Sequence, residues 1–302
     1  MRPLRIGTRG SALALAQARI VQAALQARHP DRAFELCPIA ASADRQPEAP
    51  LASLAGEGIF VKELEDALLG GRIHLAVHSL KDLPLAAPKG LRIAAVPARE
   101  EARDALVSRS GAGFDALPRG ARVGTSSARR RSQVLARRAD LTAEAIRGNV
   151  DTRLRKLDEG AYDAILLAGC GLIRLGLPQR ITELLDPAWM LPEPGQGALA
   201  LEARTDDAET LGLAQPLDDA QTRACVEAER AFLAGLGGGC RLPIAAYAAR
   251  HGAALALDGA VIAADGGRQL RGHLEGDRRD PVGIGRRLAE QLRAQGAMEL
   301  LE

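Results

Sequence analysis

The sequence predicts an α/β protein followed by a small α+β domain, and three observations carry that expectation. Over the first two thirds, short β-like apolar runs alternate with longer runs of helical period. The alternation then restarts, with "RVGTSSARRRSQ" at 122–133 echoing "RIGTRGSALALAQ" at 5–17. The final third closes on three strand-like runs whose connections, "HG" and "ADGG", are hairpin turn signals.

In chain order, "LRIGT" is a strand, and Ser11 caps the helix "ALALAQARIVQAALQARH", which His29-Pro30 ends. The strand "AFELCPIA", a polar loop near 41–58 and the helix "FVKELEDALL" follow, the helix closed by Gly70-Gly71. "IHLAVHS" and "LRIAAVP" are further strands. Past a charged linker, "AREEARD", come "ALVSR", "ARVGTSS", the helix "ARRRSQVLARRA", "LTAEAIRG", the helix "NVDTRLRKLDEG" and "YDAILLAG". The sheets expected from this order are parallel or mixed. A helix near 220–234 runs into the glycines of "GLGGGCRLP"; "PIAAYAAR", "AALALDGAVIAA" and "RQLRGHLEG" are the three late strands, and Asp280-Pro281 opens a last helix. If the echo is structural, two lobes built alike each aim a helix N-terminus at a shared cleft. Any two strand-to-helix turns also look alike.

Composition narrows the function. Hydrophobic residues at 47% and charged residues at 26% suit a soluble enzyme. A net charge of +2 and 2% aromatics argue against nucleic acid, which wants a basic stripe and stacking platforms. The N-terminus "MRPLRIGTRGS" is polar, and no apolar run approaches ~18 residues, so the expected location is cytoplasmic, with no membrane partner. Cysteines 37, 170, 225 and 240 form no C-x-x-C pair; free thiols and no metal centre are expected. Only four of the 40 basic residues are lysine (Lys62, Lys81, Lys89, Lys156). Coding bias accounts for many of the arginines, but guanidinium forks also grip carboxylates bidentately.

Position separates those readings. "AVHSLKDLP" runs a strand out into Ser79, Lys81 and Asp82, where ligands of open α/β sheets bind, although a surface Lys-Asp pair before a turn has the same pattern. His74 and His78 stand four residues apart on a strand, about 13 Å, too far to share a metal. Thr125, Ser126 and Ser127 start a helix whose first turn carries Arg129, Arg130 and Arg131, against the helix dipole, so an anion is expected there. Arg147 and Arg153 repeat the theme at the next helix start, and Arg9 and Arg174 occupy two more turns. Several small carboxylates fit these arginines better than a phosphate backbone. Cys240 lacks a Cys-His signature, and a structural cysteine sits more often on an apolar face, as Cys225 does on its helix; a covalent tether is the remaining role.

The stretches "RIGTRGSALAL", "GIFVKELEDALL", "AVHSLKDLP", "VGTSSARRRSQ", "IRGNVDTRL", "YDAILLAGCGLIRLGL", "PGQGALALE" and "GGGCRLPI", in this order from residue 5 to 244, resemble the porphobilinogen deaminase (hydroxymethylbilane synthase) family. The resemblance implies two lobes like periplasmic binding proteins, plus a small α+β C-terminal domain with a three-stranded antiparallel sheet. Domain 1 would span 1–97 and 198–215, domain 2 103–191 and domain 3 220–302. It implies a transferase of tetrapyrrole and heme biosynthesis. Four porphobilinogen molecules are deaminated and joined head to tail on a dipyrromethane cofactor, held by a thioether to Cys240, and hydroxymethylbilane is released. Asp82 would be the catalytic carboxylate. Lys81, Ser79, Thr125, Ser126, Ser127, Arg129, Arg130, Arg147 and Asn149 would bind cofactor, and Arg9, Ser11, Arg153, Arg174 and Gln196 substrate. A monomer is expected. The chain departs from the family pattern at "ASAD", which leaves Asp44 without its usual neighbours, at "GEGIF", with Glu57 where lysine is common, and at "GGGC" in place of "EGGC".

Overall fold

The computed structural model describes residues 3–40, 61–238 and 242–301. The loop 41–58, with Asp44 and Glu57, and Cys240 therefore lie outside the described residues. The chain divides into two compact units, Met1–Glu100 with Ala198–Arg223, and Glu101–Gly197 with Ala224–Glu302.

The first unit opens with β1 (Leu4–Arg9), α1 (Ala12–Arg28), β2 (Phe34–Ile39), α2 (Lys62–Leu69), β3 (Leu75–Ser79) and β4 (Leu91–Ala95). The second takes over with β5 (Asp104–Ser108), β6 (Arg122–Gly124), α3 (Ala128–Arg137), β7 (Thr142–Glu144), α4 (Val150–Asp158), β8 (Ala164–Ala168), α5 (Gly169–Arg174) and β9 (Glu183–Leu184). The chain returns to the first unit for β10 (Leu199–Arg204) and α6 (Ala208–Ala214). It ends with α7 (Ala220–Gly235), β11 (Ile244–His251), β12 (Ala254–Ile262), β13 (Gln269–Asp277) and α8 (Pro281–Ala294).

The two five-stranded sheets share one design. The first has the order β2-β1-β3-β10-β4, with β1 parallel to β2 and β3, and β10 antiparallel to β3 and β4. The second has β7-β6-β8-β5-β9, with β6 parallel to β7 and β8, and β5 antiparallel to β8 and β9. Only the timing of the antiparallel strand differs: β10 closes the first sheet on the chain's return, and β5 enters the second first. The echo in the sequence marks matching elements, β1–α1 and β6–α3. Ser11 Oγ caps α1 by accepting from Ala14 N, and Ser127 Oγ caps α3 by accepting from Arg130 N.

Both faces of these sheets are covered, which is why strands such as β3 read as unbroken apolar runs. Val77 packs with Val21 and Leu25 of α1, while Ala76 packs with Leu64 and Leu68 of α2. Ala18, Val21 and Leu25 keep the i, i+3, i+7 spacing of one buried helix face. The third sheet, β11-β12-β13, is antiparallel throughout and packs Leu255, Leu257 and Val261 against Phe232 of α7 and Leu288 and Leu292 of α8. Pro281 stands in the first turn of α8, and the Asp280 carboxylate accepts from Gly283 N. At Gly285 a Cβ would overlap the Ala228 carbonyl of α7, so glycine sets how closely these two helices approach.

The structure departs from the sequence reading in three places. α5, α6 and β9 have seven residues or fewer and carry no resolvable period. "LTAEAIRG" holds only a three-residue strand, β7. The supposed linker "AREEARD" ends in Asp104, which is the first residue of β5 and has no exposed surface.

Candidate functional site

In the first unit, an open pocket gathers Arg9 at the end of β1, Ser11 at the N-cap of α1, Gln17 from α1, and His78, Ser79 and Asp82 from β3 and its exit. Asp82 closes a 3-10 turn, Leu80–Asp82, held where Leu80 N donates to Ala198 O at 3.0 Å. Gln17, almost fully buried, donates from Nε2 to Ser79 Oγ at 3.0 Å and orients that hydroxyl. Lys81 belongs to the same turn but is not among the pocket's lining residues. The pocket thus combines one cation, one carboxylate and fixed hydroxyl and amide dipoles, a set suited to holding a small polar ring by its edge.

His74, just before β3, and His78, within it, serve different partners. His74 Nδ1 accepts from Arg5 N at 3.0 Å, and burial, then Arg5, pushes its pKa down. His78 Nε2 meets Glu202 of β10. Gln17 and Glu202 were not singled out by sequence; the signal for Glu202 was a carboxylate in the middle of the apolar run "GALALEAR".

In the second unit, the hydroxyls of Thr125, Ser126 and Ser127 build two adjoining turns. Ser126 Oγ donates to Ile146 O at 2.7 Å and accepts from Ile146 N at 3.1 Å, and Thr125 Oγ1 accepts from Ser127 N. The anion expected for Arg129 and Arg130 is present, and it belongs to the chain. Asp104 Oδ2 accepts from Arg129 Nη1 at 2.6 Å, and Oδ1 from Arg130 Nε at 2.9 Å and Gln196 Nε2 at 2.9 Å. Burial alone would push the Asp104 carboxyl up, but the Arg129 and Arg130 guanidinium groups hold it well below the usual carboxylate range. Arg129 also donates to Leu191 O, while its Nε is buried with no partner among the described residues. Arg130 reaches Leu166 O and Gln196 Oε1.

Among the described residues, no carboxylate pairs with Arg147 or Arg153. Arg153 donates Nε to Gly148 O at 2.8 Å, and burial, Arg130 and Arg147 together lower its pKa to about 10. Asn149 stands at the N-cap of α4 without a side-chain capping bond. Arg174 Nη2 donates to Gly197 O at 2.6 Å. Among the described residues, Asp104 pairs with Arg129 and Arg130 only, while Arg153 lies in the field of Arg130 and Arg147. The surplus positive charge on half-buried side chains fits a ligand with several carboxylates.

Cys240 follows a glycine run whose described members have structural reasons of their own. Gly237 takes φ +66° and donates to Ala234 O, and Gly238 donates to Leu233 O, which together make a Schellman end for α7. A Cβ on Gly238 would collide with Ile244 and Leu233. The "GGGC" departure thus places glycine, at Gly237, where the backbone is left-handed and most side chains other than Asn or Asp cost about 1–2 kcal/mol.

Two family models match the chain. Porphobilinogen deaminase, dipyromethane cofactor binding domain, matches residues 4–212, and porphobilinogen deaminase, C-terminal domain, matches 223–294. A porphobilinogen deaminase from Acidithiobacillus ferrooxidans is 54% identical over 299 residues, covering 99% of this chain and 97% of the relative. Others from Roseiflexus castenholzii and Syntrophobacter fumaroxidans are 50% and 48% identical, covering 99% and 100% of this chain and 98% and 97% of theirs. Among solved structures, an ancestral cationic amino acid solute binding protein aligns at 14% identity with a TM-score of 0.43, covering 71% of this chain and 87% of that one, a likeness too low to build on.

Proposed function

Since the chain belongs to the porphobilinogen deaminase family, we propose an assignment of its residues to the steps of that family's reaction. The enzyme is a transferase of tetrapyrrole biosynthesis that deaminates porphobilinogen and joins four units head to tail, releasing hydroxymethylbilane. Its dipyrromethane cofactor supplies, when bound, the pyrrole end onto which the units are joined.

The observation that carries the assignment is the surplus of guanidinium groups around Arg153. Each pyrrole ring bears an acetate and a propionate, so a linked chain of rings is a polyanion. Arg130, Arg147 and Arg153 hold cofactor and product carboxylates, with the Asn149 amide beside them. Thr125, Ser126 and Ser127 shape the turns that present these groups. Arg129 acts through Asp104, fixing the Arg130 fork. Arg174 and Gln196 complete the second unit's contribution to ring binding.

In the first unit, Arg9, Ser11 and Lys81 take up substrate carboxylates, and Ser79, oriented by Gln17, binds at the ring edge. Asp82 is the catalytic carboxylate. When porphobilinogen loses ammonia, positive charge spreads to the pyrrole nitrogen, and an Asp82 carboxylate oxygen accepting from that N–H stabilises it. The same oxygen takes up and returns the proton that each coupling step displaces.

Cys240 carries the cofactor through a thioether, on the domain division 1–97 with 198–215, 103–191 and 220–302. Intact mass of the denatured protein tests both parts of the assignment. The wild type is expected to exceed its sequence mass by two linked pyrrole units. Cys240→Ser is expected to lack the increment, and Arg147→Leu to carry it in a minor fraction, because one lost charge-assisted contact costs about 1.5–3 kcal/mol. An active wild type at its bare sequence mass would overturn the tether. No helix among the described residues is long and apolar enough to cross a membrane. On this reading the enzyme is a cytoplasmic monomer, which sedimentation equilibrium checks against the chain's 31.8 kDa.

A further inference from the structure

His78 and Glu202 form a buried pair that the reaction as derived leaves unused. His78 Nε2 lies 3.1 Å from Glu202 Oε2, and each side chain is 2% exposed. His78 is the last fully buried residue of β3, opposite Ala200 of β10. Ser79 and the turn ending in Asp82 follow directly. His78 also lines the pocket that Asp82 lines. Glu202 sits in the otherwise apolar centre of β10.

A pair of this kind is a poor choice for stability alone. Desolvating a carboxylate and an imidazole offsets much of their attraction, and apolar residues of similar volume serve a core as well or better. The surroundings add to the cost. Glu65 of α2 faces the pair, its carboxyl pushed up by burial and then by Glu202, with Oε1 buried and unpartnered among the described residues. The other charged groups nearby are Asp82 from the turn and Arg9 from β1, both lining the pocket with His78, and Asp66 on the outer side of α2.

The geometry points to a positioning role: His78 donates Nε2–H to Glu202, and this bond fixes the imidazole as pocket wall and the exit of β3 as the mount that aims Asp82. The inference rests on the reading of Asp82 as the catalytic carboxylate. A bond that only stabilised the sheet would be expendable once both partners became apolar together. A bond that aims a carboxylate would not be.

The experiment uses cofactor-loaded enzyme and compares the double variant His78→Leu with Glu202→Leu, His78→Gln, His78→Asn and Asp82→Asn by thermal unfolding and steady-state kinetics. Removing both partners leaves no uncompensated charge, so the double variant is expected to keep Tm within about 5 °C of wild type. Its kcat is expected to fall at least about tenfold with KM within about threefold, as for a misplaced catalytic group. Glutamine reaches about as far as Nε2 and asparagine does not. His78→Gln should therefore stay within about threefold of wild-type kcat, and His78→Asn should fall at least about tenfold. This second comparison decides the matter if the double variant does not fold. Wild-type kcat in the double variant, or equal kcat in the glutamine and asparagine variants, overturns the positioning role. Wild-type kcat in Asp82→Asn would overturn the reading of Asp82 itself, whereas an inactive Asp82→Asn beside a fully active double variant overturns the positioning role alone.

Discussion

Asp104→Ala is expected to destabilise the fold by about 3–5 kcal/mol, the cost of removing one partner from a buried ion pair. Asp104 has no exposed surface, and Arg129 and Arg130 are 3% and 6% exposed. Without the carboxylate, two guanidinium groups remain in the interior facing each other and the Gln196 amide, whose Nε2 also donates to Ala102 O. Total stability is about 5–15 kcal/mol for a typical domain, so the loss is a large fraction of it. Urea titration at neutral pH measures the effect, and a loss below about 1 kcal/mol would contradict the account. The pH dependence has a defined sign. Because the folded carboxyl is held below its unfolded value of about 3.9, its stabilisation is complete above that pH and is lost as pH falls through the lower folded value. Asp104→Asn removes this acid-side slope.

Asp104 also shows why part of the site was not legible in the sequence. Local chemistry was readable: Ser11 and Ser127 cap the helices they precede, Asp280-Pro281 opens α8, and the hairpin signals fall between β11, β12 and β13. The anion demanded by Arg129 and Arg130 was readable as a demand, from two cations at a helix start. What supplies it, 25 residues upstream at the end of a charged run, was not, because a buried aspartate and a solvated one look alike without their partners. His78 presents the same difficulty. Its distance from His74 along a strand rules out a shared metal without naming a partner, and only the pairing of β3 with β10 reveals Glu202 as that partner. The glycines before Cys240 have a reason that the sequence does not display: Gly237 and Gly238 terminate α7, a requirement set by backbone handedness and by packing against Leu233 and Ile244. Short-range signals thus placed caps, turns and strand exits, whereas every long-range pairing of buried charge had to await the fold.

The largest effect on turnover is expected at Asp82. A strand exit fixes the start of its turn, through the Leu80 N to Ala198 O bond and the β3–β10 ladder, so its carboxylate is aimed with little freedom. Asparagine keeps the shape and loses the charge; Asp82→Asn should lose at least about 10²-fold in kcat, comparable to removing a major electrostatic or acid–base group. Glutamate keeps the charge and moves it by about 1.5 Å, enough to spoil hydrogen-bond geometry without abolishing charge stabilisation. Asp82→Glu should therefore retain partial activity. Both variants should fold, because Asp82 is only half-buried and belongs to no core cluster among the described residues. The measurement is single-turnover ammonia release from porphobilinogen by variants whose intact mass shows a loaded cofactor, so that failure to assemble is not counted as failure to catalyse. A loaded Asp82→Asn enzyme releasing ammonia at the wild-type rate would place the stabilising charge elsewhere. The order of the two variants is the sharper discriminator. Were Asp82 only a shape or hydrogen-bonding element, asparagine would outperform glutamate; if charge at the pyrrole nitrogen governs the barrier, glutamate outperforms asparagine.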